Sequence, residues 1–145
     1  MAKYQLRFEQ YFAAPRAKVF GWFADHANLG KVFRMRVARV KDSTEGPNPN
    51  GLGSVRQIKV GLSKFEETIV KFQPPSVIEY SVTKGSPIKN HLGRMTFSDA
   101  DAGTQLVYTI SFDPKFPFTG WLIARVLSAG WREGAPRAVK GITGA

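Results

Sequence analysis

Seven short strand-like stretches, followed by one long helical stretch, constrain this chain more than any other feature. The cleanest strand is Thr104 to Phe112, where Leu106, Tyr108, Ile110 and Phe112 share a face. Tyr4, Leu6 and Phe8 alternate with Gln5, Arg7 and Glu9 in the same way. Val77 to Thr83 places Ile78, Tyr80 and Val82 together, and Asn90 to Ser98 does so for His91, Gly93, Met95 and Phe97. Ser54–Val60 and Ser63–Phe72 flank Gly61-Leu62 as a hairpin. In Met35–Asp42, Val37 and Val40 differ in parity, so a bulge or a two-sided strand is expected.

Helical spacing is confined to two regions. Val19, Phe20, Phe23 and Ala24 predict a helix from about Pro15, whose missing N–H is harmless in a first turn. Asp25 or Asn28 is placed to cap a second short helix leading to Lys31. From Gly120, Trp121, Ile123, Ala124, Leu127 and Trp131 define a long helix that Thr119 would cap. Gly134-Ala135-Pro136 predicts a kink or a frayed end. Strands run together with helices at the ends imply one α+β domain over residues 1–145, its sheet covered by the last helix.

Composition excludes several functions. There is no Cys, hence no disulfide framework, thiolate metal site or Cys nucleophile. No apolar run nears bilayer-spanning length and the start lacks the apolar core of a signal peptide, so a soluble, cytoplasmic protein is expected. The net charge is +10, densest at Lys31, Arg34, Arg36, Arg39 and Lys41. Elsewhere the cations are scattered, which argues against nucleic acid as the partner. Gly51-Leu52-Gly53 precedes a strand and lacks the Lys-Ser/Thr of a phosphate loop, and Asp99–Gly103 is a hairpin turn rather than a calcium loop. The histidines and carboxylates show no metal-ligand spacing, and no metal or cofactor is expected.

Four segments, in order, resemble one family. They are Ala14-Pro15 with Val19-Phe20 and Asp25, Gly51-Leu52-Gly53-Ser54-Val55-Arg56, Ile78-Glu79-Tyr80-Ser81-Val82, and Gly103-Thr104-Gln105-Leu106. Together they resemble the START-like (Bet v 1-like, SRPBCC) superfamily, which includes polyketide cyclase/dehydrase and lipid-transport proteins. The resemblance implies a helix-grip fold: a curved seven-stranded antiparallel sheet on a long C-terminal helix, with two short helices after the first strand and an apolar hollow inside. Ile123, Leu127, Gly130 and Gly134 fall near one stripe of that helix, and its two glycines would leave volume.

These expectations single out few polar residues. His91 is a candidate for contacting a ligand or moving a proton, and His26 is expected at a helix cap or the surface. Parity leaves Glu66 and Glu67 undecided, with a surface or rim position favoured for both. Arg56 and Arg94 need carboxylate partners if buried, and otherwise would anchor an acidic ligand. The expected ligand-binding set is Tyr80, His91, Arg94, Met95, Phe97, Tyr108, Ile110, Ile123 and Leu127. The expected function is binding of a small, largely hydrophobic molecule (lipid, aromatic or polyketide-like) by a monomer or homodimer. The alternative is a cyclase/dehydratase enzyme using the same hollow.

Overall fold

The computed structural model describes residues 2–145. Its elements are β1 (Tyr4–Phe12), α1 (Arg16–Ala24), α2 (His26–Phe33), β2 (Arg36–Lys41), β3 (Val55–Val60), β4 (Ser63–Gln73), β5 (Val77–Lys84), β6 (Ile88–Ala100), β7 (Gly103–Pro114) and α3 (Gly120–Thr143). The strands form one open antiparallel sheet in the order β1-β7-β6-β5-β4-β3-β2. Four of its five consecutive-strand junctions are turns, while β2 and β3 are joined by the loop that carries the glycine motif. The expected bulge in β2 falls between Arg39 and Lys41.

One face of the sheet is buried against the helices. Phe12, Leu106, Tyr108, Phe112 and Ala138 are fully buried, and Phe20, Phe23 and Trp131 close the space between sheet and helices. Phe8 stacks on Trp131 and Phe23 packs edge-on against Phe12, contacts that add directional preference to plain burial.

The helix ends differ in detail from their sequence reading. Asp25 caps α2 by accepting from the Ala27 N–H at 3.0 Å. Asn28 instead donates to the Trp22 carbonyl at 2.7 Å, tying α2 to α1. Thr119 precedes α3, but its hydroxyl donates to the Phe116 carbonyl rather than accepting from the helix. The helix does not fray at Gly134-Ala135-Pro136 and runs on to Thr143. Packing explains this. A Cβ at Gly134 would fall on the Val32 carbonyl oxygen, so glycine lets the two helices touch backbone to backbone. One turn on, Arg137 donates to the Lys31 and Val32 carbonyls at 2.8 and 2.7 Å, satisfying acceptors left over at the end of α2. Gly134 thus seats α2 and does not supply hollow volume.

Two glycine-to-alanine changes in helices should therefore have opposite signs. Gly21 has nothing within 4 Å of a built Cβ, so Gly21→Ala should stabilise by about 0.5–1 kcal/mol through helix propensity. Gly134→Ala gains the same propensity but must move a backbone carbonyl, for a net loss of about 1–3 kcal/mol. Urea unfolding of both variants measures the contrast, and equal effects would mean that α2 and α3 are not in close contact.

Candidate functional site

A cavity of about 350 Å³ lies between the sheet and α3. Its walls are largely apolar: Phe33, Ile58, Phe65 and Ile110 meet Ile123 and Leu127 from the helix. Four groups with polar ends also line it, namely Glu67, Tyr80, His91 and Tyr108. At its mouth stand Val60 and Ser63 from the β3–β4 turn, Ser86 and Pro87 from the β5–β6 turn, and Leu122 and Val126 from α3.

The Tyr80 and Tyr108 hydroxyls hydrogen-bond to each other across β6. Gly93 makes that possible. It is the Cα partner of both Tyr80 and Ile110, and a Cβ there would enter the Tyr80 ring. With no side chain in between, Tyr80 leans over the middle strand toward Tyr108. Burial pushes both phenols above their usual range, so both are neutral hydrogen-bonding groups.

His91 is turned inward beside an irregularity in the β6–β7 pairing between Lys89 and Leu92, where Asn90 adopts φ 52°. Its Nδ1 accepts from the Val82 N–H at 3.0 Å, so the proton of the neutral ring sits on Nε2. Burial first, and the Arg56 charge second, lower its pKa to about 4. His91 is therefore an uncharged donor near neutral pH.

Behind this wall lies a buried polar cluster. Arg56 and Glu67 are direct cross-strand partners, and the Arg56 Nε donates to Glu67 Oε1 at 2.9 Å with Nη2 2.8 Å from the same oxygen. The guanidinium also lies 4.4 Å from the centre of the Tyr80 ring. Arg56 Nη1 donates to His26 Nδ1 at 3.3 Å, which leaves the proton on Nε2 to be donated to Ser54 Oγ at 3.0 Å. Burial, then Arg56 and Arg39, lower the His26 pKa to about 3. Burial raises the Glu67 carboxyl against the opposing pull of Arg56.

The glycine motif builds this cluster. Gly53, at φ 81°, turns the chain so that its N–H reaches the Ile69 carbonyl and the Ser54 carbonyl accepts from the Ile69 N–H. Ser54 is then fully buried beneath His26, and Arg56 follows on the same side of β3.

Of the residues singled out from sequence, Tyr80, His91, Tyr108, Ile110, Ile123 and Leu127 line the cavity together. Met95 and Phe97 are buried in the core beside it, Phe97 against Phe20. Arg94 is not brought to the cavity: its parity is outward, and it pairs with its cross-strand partner Glu79. Arg94 thus leaves the expected ligand-binding set, and two further expectations are corrected. His26 is buried rather than a surface or capping group, because the Gly51–Ser54 loop folds over it. Glu67 is buried rather than at the surface or rim, because Arg56 draws it in. The cavity residues Phe33, Ile58 and Phe65 were not anticipated; the inward parity of Ile58 and Phe65 across the Gly61-Leu62 hairpin is the signal that marks them.

An open antiparallel sheet gripping a long C-terminal helix, with two short helices at one end, defines the helix-grip, Bet v 1-like class. The family model for polyketide cyclase / dehydrase and lipid transport matches residues 4–142, and the chain belongs to that family. Solved structures share the fold. Truncated norcoclaurine synthase from Thalictrum flavum is similar with a TM-score of 0.71 at 9% identity, over 97% of this chain and 93% of that one. Ara h 8.0201 is similar with a TM-score of 0.64 at 18% identity, over 95% of each chain. The Aha1 dimer from Colwellia psychrerythraea is similar with a TM-score of 0.68 at 10% identity, over 96% of each chain. No curated protein matches the chain in sequence.

Proposed function

We propose that this protein binds a small, largely apolar molecule of lipid, aromatic or polyketide-like character in the cavity between the sheet and α3. The observation that carries this reading is an apolar hollow whose polar lining is gathered on the sheet wall. A volume of about 350 Å³ is at the small end for ligand sites, which span roughly 300–1,000 Å³. Apolar walls supply affinity at about 0.8 kcal/mol per methylene removed from water. The His91 Nε2–H and the tyrosine hydroxyls are suited to a carbonyl, hydroxyl or phenol on the ligand, because all are neutral groups.

An environment-sensitive apolar dye should bind with low-micromolar affinity and be displaced by fatty acids or polycyclic aromatics. Leu127→Trp, which fills the hollow from α3, should abolish saturable binding while the far-ultraviolet circular dichroism is retained. Binding unchanged in that variant would place the dye elsewhere and overturn the reading. A catalytic use of the cavity, as a cyclase or dehydratase, is the second reading. It is favoured by one observation, the Glu67 carboxylate lining the cavity beside three neutral polar groups, a group able to accept a proton. Ligands that displace the dye are the compounds on which to test turnover.

A further inference from the structure

The net charge of +10 is unevenly distributed. Strand register brings the β3–β4 turn, the β5–β6 turn, the starts of β1 and β2 and the β7–α3 connection to one end of the molecule, the end where the cavity opens. Exposed cations ring this end: Arg36, Lys59, Lys64, Lys89, Lys115 and Arg125. Three of them oppose one another directly, Arg36 with Lys59 and Lys59 with Lys64. Like charges in direct register cost stability. Of the two acids here, Asp113 is held by the Lys3 N–H and Asn90, and Glu66 stands in register with the cation Lys84. Asp42, Glu45 and Asp101 lie in loops or turns at the opposite end, where Asp99 also stands near the end of β6.

The same basic end exposes large apolar side chains, on the β3–β4 turn and on the β7–α3 connection with the first turns of α3. Leu62 is fully exposed at the tip of the β3–β4 turn. On the β7–α3 connection, Phe118 is 92% exposed and held at φ 65°, an unfavourable region for a bulky residue. Phe116, Trp121, Leu122 and Val126 are each more than half exposed beside it.

We propose that this end is a docking face for an anionic lipid bilayer, with Leu62, Phe118, Trp121 and Leu122 entering the interface and the ring of cations meeting lipid headgroups. Apolar burial and headgroup attraction act together at such a surface. Charge complementarity selects this occupant. A second copy docked through the same patch would set cations against cations. A nucleic acid would match the charge but leave the aliphatic groups unburied. Among the described residues no helix is long and apolar enough to cross a membrane, so the contact is peripheral. The inference rests on the outer surface and holds whatever occupies the cavity.

The test is co-sedimentation with phosphatidylcholine vesicles, with and without about a third phosphatidylserine. The protein should pellet with the serine-containing vesicles and be released as salt is raised. Phe118→Ser/Trp121→Ser, a change at exposed positions, should weaken the partition at least about tenfold with no change in thermal unfolding. Lys59→Glu/Lys64→Glu should weaken it about twentyfold or more. No sedimentation, equal binding to pure phosphatidylcholine, or full binding by the Phe118/Trp121 variant would overturn the proposal. So would a dimer or a single-stranded RNA complex that the Phe118/Trp121 variant disrupts without any vesicle binding. Loss of dye binding in Leu127→Trp with vesicle binding intact separates this surface from the cavity.

Discussion

Glu67→Leu lowers the unfolding free energy by about 3–5 kcal/mol, because it leaves the Arg56 guanidinium buried without its counter-charge. Arg56 is 3% exposed, and its remaining neighbours are the Tyr80 ring and the His26 nitrogen, neither of which carries a negative charge. The double variant Arg56→Met/Glu67→Leu should recover most of the loss, since an apolar pair of similar volume removes both desolvation penalties. Recovery falls short by about 1 kcal/mol, because His26 Nδ1 then loses its donor. Urea titrations of the four proteins close the cycle. A Glu67→Leu variant within about 1 kcal/mol of the parent would mean that water reaches Arg56.

Acid should destabilise the protein well before its surface carboxylates titrate. His26 and His91 have folded-state pKa values lowered to about 3 and about 4, from 6.5. Above pH 6.5 both are neutral in either state. As pH falls below 6.5 the unfolded chain takes up two protons that the folded protein refuses. Stability is therefore lost between about pH 6.5 and pH 4, and the loss levels off below the folded values. Two protons correspond to a slope of about 2.7 kcal/mol per pH unit. Glu67 acts in the opposite sense, since burial raises its carboxyl against the pull of Arg56 and lets the folded state bind a proton first, which makes the slope shallower. Denaturant unfolding from pH 7 to pH 4 measures this, and His26→Gln or His91→Gln should each remove one proton from the slope. A stability independent of pH over that interval would show that both rings are protonated in the folded state.

The two predictions draw on residues of unequal legibility. Arg56 opposite Glu67 follows from hairpin arithmetic: once Val60 pairs with Ser63, Arg56 must face Glu67. Simple parity hides this, because the β4–β5 pairing is irregular between Ile69 and Lys71. That irregularity lets Phe65, Glu67, Ile69 and also Phe72 contribute to the inner side, although Phe72 has the wrong parity. Tyr80, Tyr108 and Ile110 were legible as inward residues of clean strands, whereas Arg94, expected at the ligand, points outward to Glu79, although its parity opposite His91 already signalled this. His26 was not, since its partners Ser54 and Arg56 lie 28 and 30 residues away.

Alternating side chains, turn residues and one long apolar helical stripe were enough by themselves to determine the elements, the α+β class and the faces of most strands. Those properties are local, set by backbone geometry and by which side of a strand or helix repels water. The burial of His26 and Glu67, the seating of Gly134 on Val32 and the alignment of Arg36, Lys59 and Lys64 across three strands were decided only in the tertiary structure. Each depends on segments distant along the chain meeting in space, where the penalty for an unpaired charge or an overlapping atom arises only once they touch.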